Sequence, residues 1–159
     1  MEKFMALVLS MLAFTATADE IDKRQVLSLT EHQRDHVLTE MRAMLSGTQK
    51  ILDALSREDM QAVATEARSL GMGMTDKAEG HLKSVLPKDL MQLGMSVHKA
   101  FDKIAEDAES LKDPKHTLRQ LVDSMQKCTA CHASYQIRVK THAKGQSPAP
   151  DGQHLHHQH

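Results

Sequence analysis

Cys128-Thr129-Ala130-Cys131-His132 is the run in this 159-residue chain where residue types and spacing converge on a chemistry. Two thiols three residues apart, with an imidazole directly after the second, match the C-x-x-C-H pattern of c-type haem attachment. The thiols add across the two vinyl groups of a porphyrin, and the adjoining imidazole reaches the iron from the same side. On a helix, Cys128 and His132 are four apart and share a face, with Cys131 flanking them. Other two-cysteine chemistries fit less well. A thioredoxin-like pair needs a preceding strand and a βαβ setting, and zinc needs further ligands where no second Cys pair exists. A disulfide closed within one helical turn is strained.

The elements that must position this motif read as helices. Pro is scarce until the end of the chain and β-branched runs are absent. Four segments carry an apolar stripe with alternating steps of three and four, the spacing of near-parallel helices that share a core. The first is Leu38, Met41, Leu45, Thr48, Leu52 and Leu55, with Arg34 one turn earlier. The second is Met60, Val63, Ala67, Leu70 and Met74. Leu90, Gly94, Val97, Phe101, Ile104, Ala108 and Leu111 form the third. The fourth is Leu118, Leu121, Met125, Cys128, His132, Tyr135 and Val139, so the motif falls on an expected core face and the cofactor inside the helices.

Punctuation agrees with four helices. Ser56 with Asp59 resembles an acidic capping box opening the second. Gly71 and Gly73 weaken its end, and residues 75–86 read as a looser connection or a short extra turn. Pro87 suits the first turn of the third helix, and Asp113-Pro114 is a cap followed by a first helical residue. Short links at 56 and 112–114 favour antiparallel neighbours. The expected architecture is an all-α, antiparallel four-helix bundle over residues 19–140 with one covalently bound haem.

Residues 1–18 read as a secretory leader. Lys3 supplies a positive start, residues 4–14 are apolar except Ser10, and Ala16-Thr17-Ala18 precedes Asp19 as an A-x-A cleavage site. That apolar run is too short to span a bilayer comfortably. Export places the remaining 159 − 18 = 141 residues in an oxidising, periplasm-like space with no membrane anchor. From Thr141 onward the chain turns to Gly, Pro, Gln and His, a composition that cannot bury a core and implies a disordered tail over 141–159.

Charge and composition narrow the function further. Twenty Lys plus Arg against 21 Asp plus Glu give a formal charge of −1, which argues against a nucleic-acid binder. Aromatics are 3% of residues and Trp is absent, so the large rigid side chains that usually dominate packing are nearly missing. One large planar cofactor ring would complete such a core.

A helical chain with a single C-x-x-C-H on its last helix, followed by Tyr135 three residues after His132, resembles the cytochrome c′ family. The resemblance covers roughly residues 30–140, and its strongest motif is 128–135. It implies a periplasmic protein carrying one haem c, with Cys128 and Cys131 as thioether anchors and His132 as proximal iron ligand. It also implies periplasmic redox donor and acceptor proteins as partners, and a homodimer in many members. Many members carry a basic residue four after the histidine. Here that position is Gln136, with Arg138 and Lys140 the nearest downstream cations.

The family divides by its distal group, supplied by the first helix, and two registers compete. Arg34 followed by Leu38 resembles high-spin members, in which Arg pairs with a haem propionate and Leu covers five-coordinate iron that admits nitric oxide or carbon monoxide. Met41-Arg42-Ala43-Met44 resembles the Met-Lys-x-Met run of low-spin members, making Met41 the sixth ligand. Leu38 and Met41 sit about 4.5 Å apart along one helix. The spacing from Met41 to Ile51-Leu52 and the helix end resembles the low-spin pattern without a gap, and the His/Met ligation that this resemblance implies suits electron transfer. Against it stands Met as ordinary flexible core filler. Phe101 reads as core that also touches the haem.

His32 and His36 lie on another face of the first helix, and they, His81 and His98 read as surface residues. The tail His154-Leu155-His156-His157-Gln158-His159, with His142, has a composition that captures Zn, Cu or Ni, giving a metal-buffering alternative. Nothing preorganises those ligands. The expected function is one-electron transfer rather than enzymatic catalysis, with gas binding as the first alternative.

Overall fold

Helices account for most of the chain, in keeping with the all-α expectation, and their ends follow from local chemistry. The computed structural model describes residues 22–77 and 79–140. The expected leader, residues 1–18, and the His-rich tail, residues 141–159, lie outside them. The order is β1 (Gln25–Leu29), α1 (Glu31–Ser56), α2 (Met60–Ser69), a 3-10 helix (Met72–Lys77), α3 (Glu79–Leu82), α4 (Lys88–Ser110), α5 (Pro114–Ser134) and β2 (Tyr135–Val139).

Thr30 opens α1 with a reciprocal capping box: its hydroxyl accepts from Gln33 N, and the Gln33 side chain accepts from Thr30 N. α2 and α5 begin on Asp caps, Asp59 accepting from Ala62 N, and Asp113 accepting from Lys115 N and His116 N ahead of Pro114. Ser56, expected as part of a box opening α2, instead closes α1, and its hydroxyl donates to Asp53 O. Pro87 is the N-cap of α4 and stands outside its first turn. The α1–α2 and α4–α5 links share one device. Glu58 (φ 56°) and Lys112 (φ 50°) adopt the left-handed conformation one residue before each capping Asp, which reverses the chain in three residues.

Packing runs α1 on α2, α2 on α4, and α4 on α5, while α1 and α5 have no extensive contact. The core is centred on α2 and α4. Val63, Ala64 and Ala67 meet Phe101, Ile104 and Ala105, with Ile51 and Ala54 arriving from α1 and Leu121 from α5. Small residues dominate, and Phe101 is the one aromatic ring in this cluster.

The second and third expected stripes are largely the buried ones. The first and fourth are not. On α1 the covered line is Gly47, Ile51 and Ala54, whereas Leu45 is 74% exposed, Leu52 43% and Met41 42%. On α5 the covered line is Thr117, Leu121 and Ser124, with Leu118 and Met125 nearly half exposed. The reason is steric. A Cβ on Gly47 would lie 2.6 Å from Leu70 Cδ1, so the smallest residue of α1 faces its closest neighbour and the larger ones turn away.

The expected helix through Val139 also stops short. It ends at Ser134, and Tyr135–Val139 pairs in parallel with Gln25–Leu29, from Gln25↔Tyr135 to Leu29↔Val139. Leu27 and Leu29 alternate with exposed residues, the period-2 burial of a strand. This register keeps the end of α5 apart from the start of α1. Four strand steps of about 3.3 Å, roughly 13 Å, lie between the level at which α5 ends and the level at which α1 begins.

Candidate functional site

The last two turns of α5 carry Cys128, Cys131 and His132, and β2 begins directly after them with Tyr135, whose N–H donates to Cys131 O. Cys128 and His132 are exposed and Cys131 is half-buried. This corrects the expectation of a motif on the core face: Leu121 and Ser124 are inside, but the side chains that carry the chemistry are open to solvent. They share their face with Leu118, Val122 and Met125, positions that recur at helical spacing and are each about half exposed.

Both thiols are protonated at neutral pH. Partial burial pushes the Cys128 and Cys131 thiols up from their ordinary value, and Cys128 adds to the effect on Cys131. Their place near a helix C-terminus also disfavours a thiolate. A redox-active C-x-x-C needs the reverse, a depressed thiol near a helix N-terminus.

Two hydrogen bonds fasten this end of α5, and two more from β2 brace the second of them. Lys127 Nζ donates to Ser96 O at 3.0 Å, tying it to α4. Arg24 Nη1 donates to His132 O at 3.2 Å. Gln136 Nε2 donates to Arg24 O at 3.2 Å and its Oε1 accepts from Arg138 Nε at 3.1 Å. Asp22 grips Arg24 through Nε at 2.9 Å and Nη2 at 2.7 Å, and the guanidinium holds the Asp22 carboxyl down at about 2. Nothing in the sequence singled out Arg24, and only the Leu27/Leu29 alternation hinted at the strand that brings it here.

On α1, Arg34, Leu38 and Met41 share a face with Leu45 and Leu52. Arg34 and Met41 are exposed and Leu38 is half-buried. Among the described residues α1 and α5 have no extensive contact, so Cys128, Cys131, His132 and Tyr135 share one end of α5 while Arg34, Leu38 and Met41 stand on a helix that does not pack against it. Apolar surface is thus left uncovered on two helices that do not pack on one another.

The histidines expected at the surface are more engaged than that. His32 is exposed, but His36 and His81 are half-buried. The His81 ring lies 5.2 Å from that of His32 and 5.1 Å from that of His36. His36 Nε2 also meets Glu40 Oε1 at 3.2 Å, and His98 Nδ1 meets Leu70 O at 2.7 Å. Among the described residues no group of three or more His, Cys, Asp or Glu is arranged to hold a bare metal ion, and no helix is long and apolar enough to cross a membrane.

Comparison with known proteins found no matching family model, no similar curated protein and no similar solved structure.

Proposed function

We propose that this chain is an exported c-type cytochrome that passes single electrons between periplasmic donor and acceptor proteins. Cys128 and Cys131 hold haem c covalently, His132 is the proximal ligand, and Met41 is the ligand on the opposite side. In this reading α1, α2, α4 and α5 form an antiparallel four-helix bundle, as the short α1–α2 and α4–α5 links favour. The bound iron supplies the one-electron chemistry, and the helices set its potential and access.

One observation carries the reading. The attachment motif stands on the exposed face of α5 among Leu118, Val122 and Met125, while α1 leaves Met41, Leu45 and Leu52 uncovered. Apolar surface of this extent normally meets a ligand or partner, and two thiols beside an imidazole select a porphyrin with two vinyl groups. Each thiol would add its S–H across one vinyl group, forming a thioether with no leaving group. Cys128 and Cys131 therefore fix the ring and His132 faces the iron. Leu118, Val122 and Met125 keep water from that side, and the raised thiol pKa values cost nothing because no thiolate persists.

Mass spectrometry and an optical spectrum of the exported protein test this. Covalently attached haem with a six-coordinate, low-spin spectrum is the expected result. A chain that carries no covalent haem overturns the reading. A high-spin spectrum whose reduced form takes up carbon monoxide replaces Met41 by an open site behind Leu38, with Arg34 at a propionate.

A further inference from the structure

We propose that Arg24, on the segment entering β1, is a positioning residue for His132. This rests on the haem reading above and extends it to a part of the chain that the attachment motif does not include.

The last turn of a helix leaves carbonyls without an intrahelical partner. His132 O is one of them. In a continuing helix it would accept from residue 136, but residue 136 belongs to β2, and Arg24 Nη1 donates to His132 O instead at 3.2 Å. Asp22 orients the guanidinium. Asp22 Oδ1 takes Nε at 2.9 Å and Asp22 Oδ2 takes Nη2 at 2.7 Å, a two-pronged grip that leaves Nη1 aimed at the α5 end. Gln136 Nε2 holds the Arg24 backbone through its carbonyl at 3.2 Å. The His132 peptide is therefore clamped between the α5 helix and the β1 segment, with a fixed cation on its carbonyl.

Charge placement adds a second consequence. Gln136 brings no charge of its own beside the histidine, and Arg138 donates to the Gln136 amide oxygen at 3.1 Å and helps hold the Asp22 carboxyl down from there. Arg24 supplies the cation from the other end of the chain. A planar fork with two anchored nitrogens does this in a way a lysine cannot, because an ammonium has no second edge to leave aimed.

The test uses full-length, exported protein carrying Arg24→Ala, Arg24→Lys or, as a charge control, Lys23→Ala at the neighbouring exposed cation. Mass spectrometry reports haem attachment, the hyperfine-shifted proton resonances of His132 report its orientation, and the midpoint potential reports the local charge. Arg24→Ala should move the His132 resonances and lower the potential. Arg24→Lys should recover the potential without recovering the resonances, and Lys23→Ala should change neither. Arg24→Ala resonances that match wild type, or a Lys23→Ala shift as large, overturn the positioning role alone. Where Arg24→Ala does not accumulate, Arg24→Lys decides: displaced His132 resonances support the role and wild-type resonances overturn it. A wild-type chain without attached haem overturns both readings.

Discussion

Asp107 Oδ2 on α4 accepts the Gln120 side-chain amide of α5 at 2.7 Å. The carboxylate is buried, and it also takes Lys103 Nζ at 2.7 Å on Oδ1 and meets His116 Nε2 at 3.2 Å on Oδ2. Lys103 foremost, with His116 and Gln120, holds this carboxyl below its ordinary 3.8 against the opposing effect of burial. A group lowered in the folded state contributes its full stabilisation above the unfolded value and loses it as pH falls through the folded one. Asp107→Asn keeps the volume but not the charge, and should cost about 1–3 kcal/mol at pH 7. Denaturant titrations should show the gap to wild type narrowing as pH falls below about 4, where the unfolded carboxyl protonates, and closing once pH passes below the lowered native value. A gap that is constant from pH 7 to pH 3 would refute this account.

Gly47 and Gly94 should respond to alanine with opposite signs. At Gly47 the new Cβ would stand 2.6 Å from Leu70 Cδ1 and 2.7 Å from Cδ2, so the buried Leu70 side chain at the end of α2 must move. The overpacking costs about 1–3 kcal/mol and outweighs the gain in helix propensity. At Gly94, on α4, nothing lies within 4 Å of the added carbon. That variant should gain up to about 1 kcal/mol from propensity alone. Thermal and denaturant melts of the two variants check the pair.

Met41→Ala should convert the haem-loaded protein from low-spin to high-spin, with carbon monoxide then binding the reduced form. In the haem-free chain the residue is 42% exposed on α1, so there its removal should change stability by less than about 1 kcal/mol. A spectrum identical to wild type would point to Leu38 or another arrangement on the distal side.

Replacing both Cys128 and Cys131 by Ala should abolish covalent attachment and leave the Leu118/Met125 and Leu45/Leu52 surfaces without their cover. The chain should then bind an apolar dye, keep much of its far-ultraviolet helical signal and lose fixed tertiary packing. Well-dispersed, native-like proton spectra from this haem-free variant would refute the idea that the cofactor completes the core.

Local signals were legible in the residue order. Asp113-Pro114 marked the start of α5, and Val63, Ala67, Leu70, Phe101 and Ile104 marked the covered faces of α2 and α4. The faces of α1 and α5 differ from expectation for one reason. Each carries two lines at helical spacing, and the more apolar line points to a core, while the structure covers the line with Gly47 and Ala54, or Thr117 and Ser124. Which line is covered depends on how closely the neighbouring helix approaches. Likewise Tyr135 and Val139, four apart, extend the helical stripe of α5, and only the presence of Gln25–Leu29 alongside makes the segment extended.

The sequence by itself determined the C-x-x-C-H spacing, the helical content and the Asp113-Pro114 start of α5. Those interactions join residues within about five positions of one another, so types and spacing suffice to specify them. Tertiary structure decided that Cys128 and His132 lie on an open face, that the ends of α1 and α5 are held apart by a strand pair, and that Arg24 meets the carbonyl of His132. The last contact spans 108 positions. No local propensity encodes a partner at that separation, because it exists only once α4, α5 and the two strands have packed and brought the chain ends together.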